Sequence, residues 1–299
     1  MKTFLLLGAN GQVGFELQRS LATLGRIVAT DRSQLDLTDA DAIRHYIAVL
    51  SPDFIVNAAA YTAVDKAESE PEIAMQVNAL AVGVMAEEAK RLNIPLIHYS
   101  TDYVFSGQSS QPWREDDVLS PVNCYGETKL AGEKAIQQSG CHYLILRTSW
   151  VYGSRGHNFL LTMRRLAHEK DTLSVVADQI GAPTWSRHIA DATAHILSQY
   201  LGSHTGLDEY WQPRSGVYHL AATGQGSWYE FAQVIFTHLS EQGVNVAVLS
   251  ETTTAAYPTP AKRPLFSCMN TDKLAEMFSI RLPDWRESLQ LVLADIDSK

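Results

Sequence analysis

Short apolar runs alternate with longer segments of helical periodicity through the first half of the chain, and this alternation constrains the fold more than any other feature. Strands are indicated by the runs at 3–7, 26–30, 53–57, 95–100 and 142–149. Helices are indicated between them, near 12–24, 38–50, 71–92 and 122–139. Because strands that alternate with helices form parallel sheets covered on both faces, we predict an α/β fold with a doubly wound parallel sheet.

The rhythm changes after Trp150. Later helices are expected near 158–169 and 186–200, with a strand at 216–222 and a Ser-capped helix from 227. The Gly-rich polar stretch 201–216 is typical of a surface loop, and the three prolines of 252–264 favour extended chain. We therefore predict a first domain over 1–149 and a smaller, mainly substrate-binding domain over 150–299, with some elements from about 173–222 returning to the first sheet.

The composition excludes several kinds of binding partner and indicates the cellular compartment. A net charge of −9 argues against nucleic acid and membrane surfaces, although an anionic substrate needs only a local basic pocket. The apolar run Phe4–Leu7 is too short for a signal peptide, and no run reaches the length of a membrane span. Three cysteines without metal or redox spacing fit a reducing cytoplasm. We therefore predict a cytoplasmic protein. Ten histidines form no HExxH pattern, so we also predict that the protein has no catalytic metal.

The stretch "LLLGANGQVG" places Gly8, Gly11 and Gly14 directly after the first strand, where a helix begins. Glycine permits a tight turn and close approach of the backbone to a ligand, and the N–H groups of a helix N-terminus bind phosphate. The spacing differs from the GxGxxG fingerprint, but strand, glycines and helix follow in the same order. The first domain is therefore predicted to be a Rossmann domain that binds NAD or NADP.

The next two strands end in residues suited to the rest of such a cofactor. Asp31 closes the second strand, where an acid binds a ribose hydroxyl and favours NADH, whereas the adjacent Arg32 can neutralise the 2′-phosphate of NADPH. NADPH and NADH both remain open. Asp36 and Leu37 follow on the next loop and are placed to flank the adenine. The small residues of 57–62 let a flat cofactor lie close to the third strand.

The stretch "YGETK" places Tyr125 one helical turn before Lys129, so the two side chains share a helix face. A phenol has a pKa of about 10, too high for efficient acid–base catalysis at neutral pH. A nearby ammonium favours the phenolate, so we expect Lys129 to lower the pKa of Tyr125. Thr101 ends the fourth strand, where a hydroxyl can bind the same substrate oxygen that Tyr125 protonates. We predict Tyr125, Lys129 and Thr101 as the catalytic set.

This combination resembles the extended short-chain dehydrogenase/reductase superfamily. Within this superfamily, the sequence motifs are similar to those of the branch that reduces dTDP-4-dehydro-β-L-rhamnose to dTDP-L-rhamnose. This reaction is the last step of dTDP-rhamnose synthesis for lipopolysaccharide O-antigen and other surface polysaccharides. The similar runs lie between residues 8 and 264 and read "GQVGFELQ", "VNAAAYTAVDKAESEPE", "HYSTDYVFSG", "NCYGETKLAGEKA", "RTSWVYG", "DQIGAPT" and "YPTPAKRP". The resemblance implies an NAD(P)H-dependent oxidoreductase acting on a dTDP-sugar.

The resemblance also implies roles for individual positions. The pyrophosphate would contact Gly11, Gln12 and Val13, the adenosine would contact Asp31, Asp36 and Leu37, and the cofactor would border Ala60, Tyr61 and Thr62. Tyr125 would donate the proton, and Lys129 would hold the nicotinamide ribose. The sugar would be bound by Thr101, Asp102, Tyr103 and Trp150. For Arg263 we expect a contact with the substrate diphosphate, because a guanidinium suits phosphate.

One departure concerns a metal. Some relatives in this branch are described as dimers that hold magnesium through acidic side chains, of which Glu16 would be one. Here Arg187 lies within Ser-Arg-His at 186–188 and is a poor neighbour for a cation. We therefore predict no magnesium and a monomer or weak homodimer.

Other functions share parts of this pattern. A dehydratase would need an acid after Thr101 and Asp102, where this chain has Tyr103 and Val104. An epimerase shares the YxxxK pattern but consumes no cofactor, and a reductase could act on another nucleotide-linked keto sugar. A non-catalytic NADP-binding regulatory subunit of the same fold would have no use for the catalytic set at Thr101, Tyr125 and Lys129.

Overall fold

A computed structural model describes residues 1–297, which form twelve strands and twelve α-helices. The strands are β1 (Lys2–Leu7), β2 (Gly25–Thr30), β3 (Phe54–Asn57), β4 (Leu96–Thr101), β5 (Tyr143–Thr148), β6 (Val151–Tyr152), β7 (Thr172–Val176), β8 (Ile180–Gly181), β9 (Thr184–Trp185), β10 (Gly216–His219), β11 (Gly226–Ser227) and β12 (Val248–Thr252). The helices are α1 (Gln12–Ser20), α2 (Ala40–Leu50), α3 (Val64–Ala67), α4 (Pro71–Met75), α5 (Ala81–Leu92), α6 (Cys124–Ser139), α7 (Phe159–Glu169), α8 (Ser186–Gly202), α9 (Leu207–Trp211), α10 (Trp228–Glu241), α11 (Asp272–Phe278) and α12 (Trp285–Asp297). One turn of π-helix, Gln76–Leu80, joins α4 to α5, and short 3-10 turns cover Asp102–Val104 and Thr254–Ala256.

The central sheet has six parallel strands in the order β10-β5-β4-β3-β1-β2. The predicted α/β fold with a parallel Rossmann-type sheet is thereby confirmed. The five strands predicted in the first half are all present, and no predicted end differs from the observed one by more than one residue. The strand order reverses beside β1, and ligands of such sheets bind beyond the carboxyl ends of the strands at this point.

Alternate residues of the strands are buried on opposite faces of the sheet. In β1, Phe4 and Leu6 pack into a core with α1, α8, α9 and α11, whereas Leu5 and Leu7 pack into a core with α2, α5 and α6. All four side chains are at most 1% exposed, and complete burial of such a side chain contributes roughly 1.5–3 kcal/mol. Two-sided burial explains why these strands read as continuous apolar runs rather than as alternating ones.

The second half of the chain contributes both to this sheet and to a separate core. Strand β10 pairs with β5 at the edge of the sheet, and α8 packs against α1, with Ser20 donating a 2.5 Å hydrogen bond to Asp191. A third core lies between α7, α10 and α12, around Phe231 and Trp285. The division into two domains at residue 149 stays a prediction.

The structure departs from one expectation for the second half of the chain and agrees with another. The stretch 201–216 is not a simple surface loop, because it contains α9, whose Tyr210 and Trp211 are buried against α8. Burial of these two aromatic side chains stabilises a helix in a segment whose Gly and polar residues favour a loop. The predicted Ser cap is present, since Ser227 and Glu230 form a capping box at the start of α10. Across the described part of the chain, no helix is long and apolar enough to cross a membrane.

Candidate active site

A cleft of about 770 Å³ lies beyond the carboxyl ends of the sheet strands. It brings together most of the predicted cofactor residues, and its lining includes Gly8, Gly11, Gln12, Val13, Asp31, Arg32, Asp36, Leu37, Ala60, Tyr61, Thr62, Tyr125 and Lys129. The sequence analysis did not anticipate several other lining residues, among them Asn10, Ser100, Thr148, Val151 and His157. Six predicted residues lie outside this lining and are described below: Gly14, Thr101, Asp102, Tyr103, Trp150 and Arg263. Thr101 adjoins the cleft through its neighbour Ser100.

The glycine loop connects β1 to α1 by close backbone contacts. Gly8 has φ +81°, and a side chain there would place Cβ 2.6 Å from the backbone nitrogen of Ala59. Gly14 lies behind the loop, where a Cβ would be 2.0 Å from the carbonyl oxygen of Gly8. Gly11 is the N-cap of α1 and offers no side chain to the first-turn N–H groups. The N-terminus of α1 is therefore suited to an anion at the floor of the cleft.

The acids expected at the adenosine end are already ordered by local hydrogen bonds. Asp31 accepts hydrogen bonds from Asn10 Nδ2 at 2.7 Å and from the Ser33 backbone and hydroxyl groups at 2.9 and 2.6 Å. The hydrogen bonds from Ser33 lower the pKa of Asp31 most, so this side chain is a carboxylate at neutral pH. Asp36 accepts from the Thr38 backbone N–H at 3.0 Å, which also lowers its pKa.

The π-helical turn after α4 holds the segment that borders the cofactor side of the cleft. Asn78, which is fully buried, accepts from the Tyr61 backbone N–H at 2.8 Å and donates to the Tyr61 carbonyl at 3.1 Å. Its amide also lies 3.1 Å from the Thr128 hydroxyl, so it connects this segment to α6. Tyr61 donates to Glu70 at 2.5 Å, and this bond raises the pKa of Tyr61 to about 12. The sequence analysis missed Asn78, because a polar residue inside a helical pattern carries no signal of its own.

Thr101 and Asp102 follow each other at the end of β4 and are both buried. The Thr101 hydroxyl donates to Asp102 Oδ1 at 3.0 Å and accepts from the Tyr103 backbone N–H at 3.2 Å. Burial raises the pKa of Asp102 to about 7, although the hydroxyls of Ser267 and Thr101 stabilise its charge in part. A carboxyl group that titrates near neutral pH therefore lies directly beside the predicted catalytic threonine.

Tyr125 lies in the first turn of α6, whose N-cap Asn123 accepts a hydrogen bond from the Gly126 backbone N–H. Loss of hydration raises the pKa of Tyr125 to about 12, and the nearby Thr101 hydroxyl offsets only part of this rise. The expectation that Lys129 lowers this pKa is therefore wrong for the free protein, because desolvation outweighs any attraction to the ammonium. The phenol is protonated at neutral pH.

Lys129 extends from α6 to β4. Its Nζ donates to the Tyr99 carbonyl oxygen at 2.7 Å and lies 3.2 Å from His98 Nε2. Only 1% of Lys129 is exposed, and this burial lowers its pKa to about 8 despite the attraction of Glu133. Lysine and tyrosine share a helix face as predicted, but the lysine is held by the sheet.

Trp150 follows β5 in a strained conformation with φ +46°. Its ring stacks on Trp228 at a centroid distance of 3.6 Å, and Gly181 lies against it so closely that a Cβ there would be 2.4 Å from the indole. The Trp228 indole N–H donates to Gln179 Oε1 at 3.2 Å. Trp150 therefore belongs to an aromatic stack on the side of the second half of the chain, and its predicted role as a wall of the sugar site stays a prediction.

Arg263 lies in the proline-rich segment, close enough to Tyr103 to affect the pKa of that phenol. Its Nη2 forms a 2.9 Å ion pair with Asp65, and, within the residues that the structure describes, its buried Nη1 has no hydrogen-bond partner. The segment is fixed by Asn123, which donates to the Lys262 carbonyl at 2.8 Å. Tyr103 packs edge to face against Tyr125, and burial raises the pKa of Tyr103.

Glu16, the acid that a magnesium site would use, is bonded to an arginine instead. Arg187 Nε lies 3.2 Å from Glu16 Oε2, and Arg187 Nη2 lies 3.3 Å from Asp295. Within residues 1–297, no group of three or more His, Cys, Asp and Glu side chains is placed to hold a metal ion.

This arrangement suits hydride transfer to a carbonyl group. A cleft with a phosphate-binding loop at one end has a protonated phenol and a buried lysine at the other, both from one helix. Together with the parallel sheet, it defines an extended short-chain dehydrogenase/reductase.

Comparison with known proteins gives the particular family. Residues 1–298 match the family described as "RmlD substrate binding domain". The dTDP-4-dehydrorhamnose reductase of Escherichia coli K12 is 45% identical over 298 residues, which cover 98% of this chain and 97% of that protein. The crystal structure of a dTDP-4-dehydrorhamnose reductase from Clostridium acetobutylicum has a TM-score of 0.89 at 32% identity and covers 99% of both chains. The Bacillus anthracis enzyme, solved in complex with NADP, has a TM-score of 0.87 at 32% identity and covers 98% of this chain and 99% of its own. The chain belongs to the dTDP-4-dehydrorhamnose reductase family.

Proposed function

We propose that this protein catalyses the NAD(P)H-dependent reduction of the C4 keto group of dTDP-4-dehydro-β-L-rhamnose to give dTDP-L-rhamnose. The observation that carries the proposal is the position of Tyr125: a protonated phenol, next to the Thr101 hydroxyl, at the end of a cleft that begins with a glycine loop. Membership of the family and the names of its relatives support the choice of substrate. The product would supply rhamnose for lipopolysaccharide O-antigen or another surface polysaccharide.

The residues of the cleft fit a dinucleotide. Gly8 and Gly14 allow the close backbone packing of the loop, and the first turn of α1, capped by Gly11, would hold the pyrophosphate. Asp31 is a preformed carboxylate for a ribose hydroxyl, and the exposed Arg32 beside it suits a 2′-phosphate, so NADH and NADPH are both proposed. The cofactor, when bound, supplies the hydride.

In the proposed reaction Tyr125 is the general acid. Its high pKa keeps the proton on the phenol until negative charge develops on the substrate oxygen, which Thr101 also binds. Lys129, in its ammonium form, would hold the nicotinamide ribose and would stabilise the phenolate that Tyr125 leaves behind. Asp102, Tyr103 and Trp150 are proposed to contact the sugar, and Arg263 the diphosphate.

For the assembly we propose a cytoplasmic monomer or weak homodimer without a bridging metal. The ion pair between Glu16 and Arg187 supports this, because the arginine supplies a positive charge where a bridging cation would bind that acid. Sedimentation velocity across a range of protein concentrations, with and without magnesium, tests it. A tight dimer that needs magnesium would contradict the proposal.

Loss of nicotinamide absorbance tests the activity. Purified protein receives dTDP-4-dehydro-L-rhamnose, formed in situ by the precursor enzymes, with NADH and NADPH in separate cuvettes. Oxidation of either cofactor that depends on the complete precursor set is the expected result. Bound cofactor without oxidation would favour a reductase of another nucleotide-linked keto sugar, or a non-catalytic NADP-binding subunit of the same fold.

A further inference from the structure

Three buried polar side chains form a row beneath the cleft, and the proposed reaction gives a role only to the last of them. Asn57 ends β3, His98 lies opposite it in β4, and Lys129 reaches β4 from α6. Asn57 Nδ2 lies 3.0 Å from His98 Nδ1, and His98 Nε2 lies 3.2 Å from Lys129 Nζ. None of the three is more than 1% exposed, so each polar atom depends on its neighbours rather than on water.

The direction of the hydrogen bonds in this row is fixed at its first member. The backbone N–H of Ala59, which can only donate, lies 3.1 Å from Asn57 Oδ1. The Asn57 oxygen therefore faces Ala59, and the Asn57 NH₂ group faces His98. Because an NH₂ group donates, Nδ1 of His98 must accept. A neutral imidazole that accepts at Nδ1 carries its proton on Nε2, and this N–H points at Lys129.

We propose that Asn57 and His98 are positioning residues that present an N–H donor to Lys129 and so favour its neutral amine over the ammonium. An amine nitrogen has a lone pair to accept this hydrogen bond, whereas an ammonium has three donors and no acceptor. Protonation of Lys129 must then break the contact with His98 or reverse the direction of both hydrogen bonds in the row. Reversal turns the Asn57 NH₂ group toward the Ala59 N–H and leaves two donors facing each other.

The other groups around Lys129 do not produce the same preference. The Tyr99 carbonyl oxygen accepts from Nζ in either protonation state. Glu133, one turn further along α6, favours the ammonium, but its carboxylate is held by Arg147 of β5 at 2.7 and 2.9 Å. Tyr125 on the same helix is protonated at neutral pH. Burial lowers the pKa of His98 well below its usual range, so the ring itself is neutral.

The tautomer of His98 is a direct test that needs no turnover. Protein labelled with ¹⁵N and ¹³C is studied by long-range ¹H–¹⁵N correlation at pH 9, with His98 assigned by through-bond transfer from its backbone. The expected result is a neutral ring protonated at Nε2. A ring protonated at Nδ1 at this pH would overturn the proposal, whatever the activity of the enzyme.

The variant Asn57→Asp reverses the row in a controlled way. A carboxylate accepts from the Ala59 N–H with one oxygen and from His98 Nδ1–H with the other, so Nε2 becomes an acceptor for an ammonium. We expect the His98 tautomer to change to Nδ1–H. Asn245→Asp is the matched control, because it makes the same charge change at an exposed position in the loop after α10. An unchanged Nε2–H tautomer in folded Asn57→Asp would overturn the proposal, and if the variant does not fold, the wild-type tautomer decides.

A kinetic readout of the same change rests on the proposed function. If the ammonium of Lys129 is needed for turnover, kcat falls at alkaline pH as Lys129 loses its proton. Asn57→Asp should move the midpoint of this fall upward by roughly one pH unit, the scale on which a charged partner shifts a pKa, and Asn245→Asp should leave it in place. An unchanged midpoint in Asn57→Asp would contradict the role of the row. Absence of any turnover in the wild type would instead count against the proposed function, and the tautomer measurement would still stand.

Discussion

Tyr103 and Tyr125 meet edge to face, with ring centroids 5.6 Å apart and planes at 77°. This contact helps to remove the Tyr125 phenol from water, and the loss of hydration raises the pKa of Tyr125 to about 12. The proposed general acid is thus a weak acid in the free protein. It becomes effective only when negative charge develops on a nearby substrate oxygen, so its environment favours proton donation during the reaction over ionisation beforehand.

The first prediction concerns this phenol. Tyr125→Phe should lower kcat by roughly 10²-fold or more, the scale of general acid catalysis, because the phenylalanine ring has no acidic proton to donate. Cofactor binding, measured by the fluorescence of the reduced nicotinamide, should change little. Tyr257→Phe is the matched control, since Tyr257 is 60% exposed and lies outside the cleft lining. Near-normal turnover of Tyr125→Phe would remove Tyr125 as the acid.

A second prediction concerns the dependence of stability on pH. Burial raises the pKa of Asp102 to about 7 from an ordinary value of 3.8. A carboxyl group whose pKa is higher in the folded than in the unfolded state favours folding when it is protonated. Its full contribution is present below the unfolded pKa of 3.8 and is lost as the pH rises through the folded pKa of about 7. Wild type should therefore lose up to about 4 kcal/mol of unfolding free energy between pH 4 and pH 8 from this group, at 1.36 kcal/mol per pKa unit.

Asp102→Asn removes the titration. Urea unfolding at pH 5 and pH 8 should show a smaller difference between the two pH values in the variant than in the wild type. Asp117→Asn serves as the control, because Asp117 lies in a loop outside the cleft lining. Equal pH dependence in wild type and Asp102→Asn would show that Asp102 is ionised in the folded protein at both pH values.

The glycine loop gives a third prediction. Gly14→Ala places a Cβ 2.0 Å from the carbonyl oxygen of Gly8, and neither backbone can move without disturbing the turn. We expect a loss of about 1–3 kcal/mol of stability, the usual cost of overpacking, together with weaker cofactor binding. Gly202→Ala is the matched control, since a Cβ there meets no atom within 4 Å. Equal cofactor affinity in the two variants, measured by calorimetry, would show that Gly14 is not needed for cofactor binding.

The fold and the position of the cleft could be predicted from sequence because both depend on local patterns. β1 to β5 are strands of four to six residues that each contain a short apolar run and alternate with helical segments, and the glycines follow β1 directly. The state of the catalytic groups could not be predicted, because it depends on burial and on strand register. The sequence places Lys129 one turn from Tyr125, but only the pairing of Asn57 with His98 across β3 and β4 shows what holds the lysine. Likewise, α9 is stabilised by packing of Trp211 on α8, which its Gly-rich surroundings conceal.

The last prediction concerns Arg263. One nitrogen of its guanidinium is paired with Asp65, while the other is buried and, among the described residues, has no acceptor. A diphosphate oxygen would satisfy that nitrogen, and hydrogen bonds to charged groups contribute about 1.5–3 kcal/mol. Arg263→Ala should therefore raise KM for the nucleotide sugar about tenfold or more and leave kcat and cofactor KM nearly unchanged. Lys170→Ala removes an exposed positive charge at the end of α7 and is the matched control. A KM for Arg263→Ala equal to that of Lys170→Ala would mean that Arg263 only anchors the proline-rich segment through Asp65.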